Sequence, residues 1–519
     1  MSQAQAPAAV PAEKTFCPPE RRKWALRAAI LASALGFIDG SVTAIATPAI
    51  RADLDASLVD VQWIANAYML TLSALLLVGG AAGDAFGLRR TFMSGIVLFV
   101  AASLACAAAP DPWTLILARA LQGLGAAIMV PGSLALIAKT YPREERGAAI
   151  GAWAAASALT TALGPVLGGF VLSGFGDWAW RLIFAVNLPL GGLALLMLAK
   201  VPADRPETRK KLDLAGAALA TLALGLLAWG LTGGEGEGGG GSPVWWPALL
   251  AGAALLVAFV LWERRTPAPM VKLDLFRNRA FAGANLATFF LYAGLSAVLF
   301  FLPMLVISAW GVSEAQTSLL ILPFSLVVGL LSGFSGRLAD RIGPRIPIAA
   351  GSLLVAMAFV GWGFLALADG RNFWAAAVPL MLLFGVGMGL VVSPLSAAVM
   401  GAVEDVDTGS ASGVNNAVSR VAGLFAVAAF GTLAAQVHGA WLASASLPPE
   451  NLPGFGAPAP GNAASRAAWV QASGAGFSAL AFSCAALAAL AALIAWVSVP
   501  GRRERPSLPE REEPAASPL

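Results

Sequence analysis

Residues 80–90 read GAAGDAFGLRR, and residues 336–345 read GRLADRIGPR. Both copies set an Asp, then a Gly three residues on, then an Arg: Asp84, Gly87, Arg89 and Arg90 in the first, Asp340, Arg341, Gly343 and Arg345 in the second. Each closes a Gly-rich apolar run, and the two aspartates stand 256 residues apart. A chain that repeats itself at this distance, in the same orientation, is built from two equivalent halves.

Working outward from the two copies, fourteen apolar runs are long enough to cross a bilayer, whose core needs about 20 helical residues. They span roughly 26–48, 61–83, 92–109, 113–138, 147–171, 182–199, 213–232, 244–262, 281–309, 316–337, 346–367, 373–400, 409–436 and 473–499. No stretch alternates in the short period of a transmembrane β-strand. Composition agrees: 58% of residues are hydrophobic and 12% charged, against about 25% charged in soluble domains. The 56 glycines are spread through the apolar runs, which suits closely packed membrane helices. The sequence therefore predicts an all-α polytopic membrane protein. It divides into a tail (1–25), a six-helix half (26–199), a linker region with two extra spans (200–280), a second six-helix half (281–499) and a disordered tail (500–519). Parallel halves of this kind are typical of transporters that rock one half against the other.

Loop charge tests the count independently. If the N-terminus is cytoplasmic, 27 of the 33 Lys and Arg residues fall on inside segments, among them Arg21–Lys23, Arg89, Arg90, Arg143, Lys200, Arg264, Arg265, Arg341 and Arg345. Outside segments hold Arg51, Arg181, Arg371 and Arg466, while Arg119 and Arg420 lie within spans. This positive-inside bias predicts a multi-pass protein of a bacterial inner-membrane type with both termini cytoplasmic. It also accounts for the net charge of +4 with no need for nucleic-acid binding. The basic patch before the first run resembles a signal-peptide n-region, but the run is too long and carries Asp39, so an uncleaved helix is expected.

Several chemistries are absent from the sequence. Cys17, Cys106 and Cys484 have no disulfide or metal-ligand spacing, and His438 is the one histidine, expected in a solvated position at the outer end of the thirteenth span. No Gly-Lys dipeptide occurs, so the run GGEGEGGGG at 233–241 reads as a flexible turn and not as a phosphate loop. The longest loop, 437–472, is expected outside.

Asp39 lies midway through the first run, LRAAILASALGFIDGSVTAIATP at 26–48. A carboxylate at the centre of a membrane helix costs about 2.5–3.5 kcal/mol on insertion scales. It is either a proton or ion relay or half of a structural ion pair. Counted from opposite ends of antiparallel spans, Asp39 is about 20 Å from the inner edge and Arg119 about 9 Å from the outer. In a core of about 30 Å these depths coincide, so the two are expected to meet. Arg119 does not titrate, which leaves Asp39 to exchange a proton or to stay ionised as a permanent pair.

These strings, taken together, resemble the major facilitator superfamily, and within it the drug:proton antiporters with fourteen spans, over roughly residues 24–500. The resemblance rests on Gly80, Asp84, Gly87, Arg89 and Arg90, on LILARALQGLGAA at 115–127 with Arg119, Gln122, Gly123 and Gly125, and on Gly164, Pro165, Gly168 and Gly169 of GPVLGG in the fifth span. WAWRLIFAVNLPLGG (178–192) and PMVKLDLFRNRAF (269–281) are similar to segments of the fourteen-span group. The chain departs from the pattern at Ala85, Thr160 and Ala44. The resemblance implies a proton-driven exporter, with Asp39 and Arg119 in coupling and no cofactor besides the proton gradient. The 164–169 motif is then a hinge or seal between halves, or small-residue packing. Asp84 and Asp340, set against helix N-termini, latch the inner faces together, or are plain turn charges. Trp63, Asn66, Tyr68, Gln122, Asn285, Phe289, Tyr292 and Asn415 are candidates for the substrate cavity. Aromatics and amides around a carboxylate suit apolar or cationic small molecules. A monomer in the bilayer is expected. Two other readings stay open: a nutrient symporter or facilitator on the same fold, and a polytopic membrane enzyme or sensor.

Overall fold

The computed structural model describes residues 16–204, 212–232, 245–267, 269–368, 373–404, 407–444 and 452–501. The Gly-rich turn at 233–241 and all but two residues of the tail at 500–519 lie outside the described residues, as do the first fifteen. Fourteen helical segments are long and apolar enough to cross a membrane, matching the fourteen runs.

Local chemistry explains where the helices begin and end. Helix α1 covers Pro19–Asp53 and α2 covers Leu58–Phe86. Ser57 and Asp60 form a reciprocal capping box at the start of α2. Helix α3 covers Leu88–Ala107, and α4 covers Pro112–Thr140 with Asp111 as its cap and Pro112 in its first turn. Between α2 and α3 the chain reverses at Gly87, φ +93°, a region open to glycine and strained for other residues. Gly343, the matching glycine of the second copy, takes φ +87° between α11 (Glu314–Ile342) and α12 (Arg345–Leu367). The sequence repeat is thus a backbone repeat.

Helix α5 (Arg143–Phe175) ends at Gly176, and the sixth span is broken into a short turn over Asp177–Ala179, α6 (Trp180–Ala185) and α7 (Asn187–Ala199). The extra spans are α8 (Leu214–Thr232) and α9 (Trp245–Glu263). Helix α10 covers Arg279–Pro303 and passes through a π-turn over Met304–Ala309. Helices α13 (Val378–Gly401), α14 (Thr408–Ser444) and α15 (Ala463–Ser498) complete the second half.

Helices α1 to α7 pack together in one half and α10 to α15 in the other. Helix α8 lies in a seam between them. Trp63 of α2 donates to Thr232 Oγ1 (3.2 Å), and Thr432 of α14 donates to the Leu231 carbonyl (2.8 Å), so α8 is tied to both halves. Helix α9 packs on α8 and is otherwise exposed.

Helix α1 begins at Pro19, ahead of the marked apolar run. The sixth span runs over Asp177–Ala199 with one interruption at Val186, beyond which Asn187 turns inward and donates to Ser103 Oγ (3.1 Å). Two expectations need correction. Helices α14 and α15 run well into the loop marked at 437–472, because their turns there bury His438 and Trp469, which hydropathy alone assigns to a loop. His438 is consequently 1% exposed, between Phe455 and Trp469, and not solvated.

Candidate functional site

Asp39 is 1% exposed at the centre of the first half, and Arg119 meets it there. Arg119 Nη1 donates to Asp39 Oδ2 at 2.5 Å and to Gln122 Oε1 at 2.6 Å, and its Nε donates to the Ile64 carbonyl at 3.1 Å. Gln122 Nε2 donates to Asp39 Oδ1 and to Ser103 Oγ, each at 2.9 Å. The Tyr68 ring covers the guanidinium at 4.3 Å, with Phe184 at 5.6 Å on another side. Four helices and the break before α7 therefore build one closed polar network. The spacing of Arg119 and Gln122, one helical turn apart on α4, lets both reach a single carboxylate.

Small residues bring these helices close enough. A Cβ on Gly125 would stand 2.6 Å from the Phe99 nitrogen of α3, so only glycine fits. Thr71 of α2 donates to the Ala120 carbonyl of α4 at 2.8 Å. Ser103 and Asn187 belong to the network and were not marked in the sequence. Their signal was weak, since one polar residue in an apolar run is commonplace. Asn66, by contrast, is 0% exposed and neither amide atom has a partner among the described residues.

The other candidates divide between a cavity and its surroundings. A cavity of about 310 Å³ is lined by Met69, Tyr292, Ser296, Ser396, Met400, Asn415, Asn416 and Arg420 among others. Asn415 donates to Asn285 Oδ1 (3.2 Å) and Thr288 Oγ1 (2.9 Å), which places Asn285 behind the lining. Phe289 packs edge-on to Phe425 (6.5 Å). Trp63 faces α8, and Gln122 is held inside the network. The carboxylate expected to face a cation is thus occupied by Arg119.

The end of the molecule away from the Asp84 and Asp340 loops is closed between halves. Gln62 of α2 donates to the Val427 carbonyl of α14 at 2.6 Å, and Arg51 of α1 to the Phe455 carbonyl at 2.5 Å. Ser173 of α5 donates to Glu314 Oε2 of α11 at 2.9 Å and accepts from the Ala315 nitrogen at 3.0 Å. Of the 164–169 motif, Gly169 reaches this contact between halves, while Gly164 and Gly168 pack on α1 of their own half. A Cβ on Gly169 would stand 2.6 Å from the Glu314 carbonyl, and one on Gly164 would stand 2.9 Å from Ser41 Oγ of α1. Pro165 lies inside α5, and Gly168 lies against Val42.

The opposite, basic end has no ion pair between the halves among the described residues. Asp84 pairs with Lys139 of its own half at 3.6 Å. The N-terminus of α3 is capped by Asp204, which accepts from the nitrogens of Leu88 (2.7 Å) and Arg89 (2.9 Å). Arg89 Nε donates to the Leu198 carbonyl, Arg90 and Arg341 are exposed, and Arg345 stacks on Trp496 at 4.3 Å. Asp340 has no hydrogen bond or ion pair among the described residues. The two family-like segments are structural: Trp180 and Arg181 both bind the Asp53 carboxylate at the end of α1, and Asn278 caps α10.

Comparison with known proteins agrees with the fold. A family profile described as Major Facilitator Superfamily matches residues 29–427. A puromycin resistance protein of Streptomyces alboniger is 35% identical over 505 residues, covering 96% of this chain and 95% of that one. The multidrug resistance protein Stp of Mycobacterium tuberculosis is 34% identical over 81% of this chain and 77% of its own. Among solved structures, an inward-facing bacterial homolog of the human lysosomal transporter Spinster superimposes with a TM-score of 0.65 at 16% identity, covering 93% of this chain and 99% of that one.

Proposed function

The chain belongs to the Major Facilitator Superfamily and is a membrane transporter, not an enzyme; from that premise we propose that it is a proton-coupled antiporter exporting hydrophobic or amphipathic drug-like compounds by alternating access. The observation that carries this reading is the buried Asp39–Arg119–Gln122 network, a single carboxylate held at mid-membrane depth by a group that stays charged. The resistance proteins of Streptomyces and Mycobacterium support export as the direction. The membrane is a bacterial cytoplasmic membrane, the basic end with both termini faces the cytoplasm, and the monomer is the working unit with the proton gradient as energy source.

On this orientation the sealed end is outside and the cavity is reached from the cytoplasm, so the state described is inward-open. Substrate binds from inside, and rocking the halves breaks the contacts of Gln62, Arg51 and Ser173. Water then reaches Asp39 from outside and protonates it. The protonated acid no longer pairs with Arg119, but Arg119 keeps two acceptors, Gln122 Oε1 and the Ile64 carbonyl. A buried guanidinium left with no acceptor would be strongly destabilising, so these two make the protonated stage accessible. Resealing the outer end restores the ion pair, which requires the carboxylate and expels the proton inward.

The test is reconstitution in vesicles with an imposed pH gradient, following internal pH while non-basic amphipathic compounds are added one at a time, with protein-free vesicles as control. Proton flow opposite to substrate flow is expected. Proton flow in the same direction would sink the antiport reading.

A further inference from the structure

Two arginines that the sequence places within the apolar runs, Arg119 and Arg420, are held very differently. Arg119 has a carboxylate, an amide and a carbonyl as acceptors. Arg420, on α14, has no ion pair or hydrogen bond among the described residues, and its Nε is buried without a partner. It lies twelve residues from the start of α14, about 18 Å along the helix, too deep for its side chain to reach water at the membrane surface. An arginine stays ionised in proteins, so an unpaired positive charge faces the cavity.

What surrounds it also points to a ligand. Tyr292 lines the cavity together with Arg420, and among the described residues the lining includes no carboxylate. The carboxylate of the first helix, Asp39, is already neutralised by Arg119. Ser412, Asn415, Asn416 and Ser419 add hydroxyl and amide groups along the same side of α14. A cation would meet an uncompensated like charge there. A planar anion would meet a forked donor, whose paired N–H groups match two oxygens, with the Tyr292 ring to cover an apolar body.

We infer that Arg420 is the binding group for an anionic oxygen substituent, a carboxylate or phenolate, on an amphipathic substrate. This rests on the export reading and narrows its substrate class. It reverses the cationic preference that a carboxylate in the first helix suggests, because that carboxylate is already paired.

Three probes with one ring system and different head groups test it on the purified full-length protein: pyrenebutyrate, pyrenebutanamide and pyrenebutyl-trimethylammonium, titrated by fluorescence. Pyrenebutyrate should bind tightest and the ammonium weakest. Arg420→Gln should weaken pyrenebutyrate about ten- to hundredfold and leave the amide unchanged. Asn416→Asp, nearly isosteric and one helical turn from Arg420, supplies the missing carboxylate in place and should cause the same loss even if Arg420→Gln folds poorly. Equal or tighter binding of the ammonium by the unaltered protein, no preference among the probes, or a carboxylate preference that survives Asn416→Asp overturns the inference. The titration involves no proton gradient, so a lost antiport signal with an intact carboxylate preference counts against the export mechanism alone.

Discussion

At the scale of the residue, Asp39 is surrounded so completely that its removal separates folding from coupling. Asp39→Asn keeps the shape and retains a carbonyl oxygen for Arg119, so the protein should insert and stay monodisperse while gradient-driven transport disappears. Transport that persists and still responds to the gradient would remove Asp39 from the proton path. Arg119→Ala leaves a buried carboxylate without its partner and should lower stability by about 3–5 kcal/mol, read as a fall in melting temperature. The pairing of Asp39 with Arg119 was legible in the sequence because depth along antiparallel spans follows from residue counting. Ser103, Asn187 and Asp204 were not, because each acquires its partner through a chain reversal or a break that has no periodic signature. Asp204 also sits beyond the apolar run, where spacing says nothing about which helix end it will cap.

Elements were located well and delimited less well. Hydropathy finds the membrane-embedded middle of a helix, whereas α1, α14 and α15 extend past it on aromatic and small-residue packing. The two glycines at φ +93° and +87° were visible as letters in a repeat, and their left-handed backbone is the reason the letter repeats. Helix α5 carries the sharpest element-level test. Gly169 lies where a Cβ would press on the Glu314 carbonyl, so Gly169→Val should push α5 from α11 at a cost of about 1–3 kcal/mol to the sealed state. Spin labels placed on the ends of α5 and α11 that meet near Ser173 and Glu314 should then report longer distances. An unchanged distance distribution would mean that the motif is packing and no part of the seal.

For the whole molecule, alternating access requires the two ends to open in turn, and the described state is closed at one of them. Ser173 and Glu314 sit across the halves within hydrogen-bonding distance. With both replaced by cysteine, a short cleavable thiol crosslinker should hold that end shut and stop transport, and reductant should restore it. The three native cysteines are buried and offer little competition for the reagent. Continued transport in the crosslinked protein would exclude rocking about this interface. Of the two flanks where the halves meet, one is spanned by α8 and backed by α9, while the flank of α5 and α11 is bare. The consequence is sidedness in the plane of the bilayer. A lipid-dissolved molecule diffusing around the protein finds one flank walled and the other unobstructed, so the lateral doorway, if substrate leaves the leaflet directly, is on the α5 side. A photoactivatable lipid should therefore label α5 and α11 and spare the α2–α14 groove.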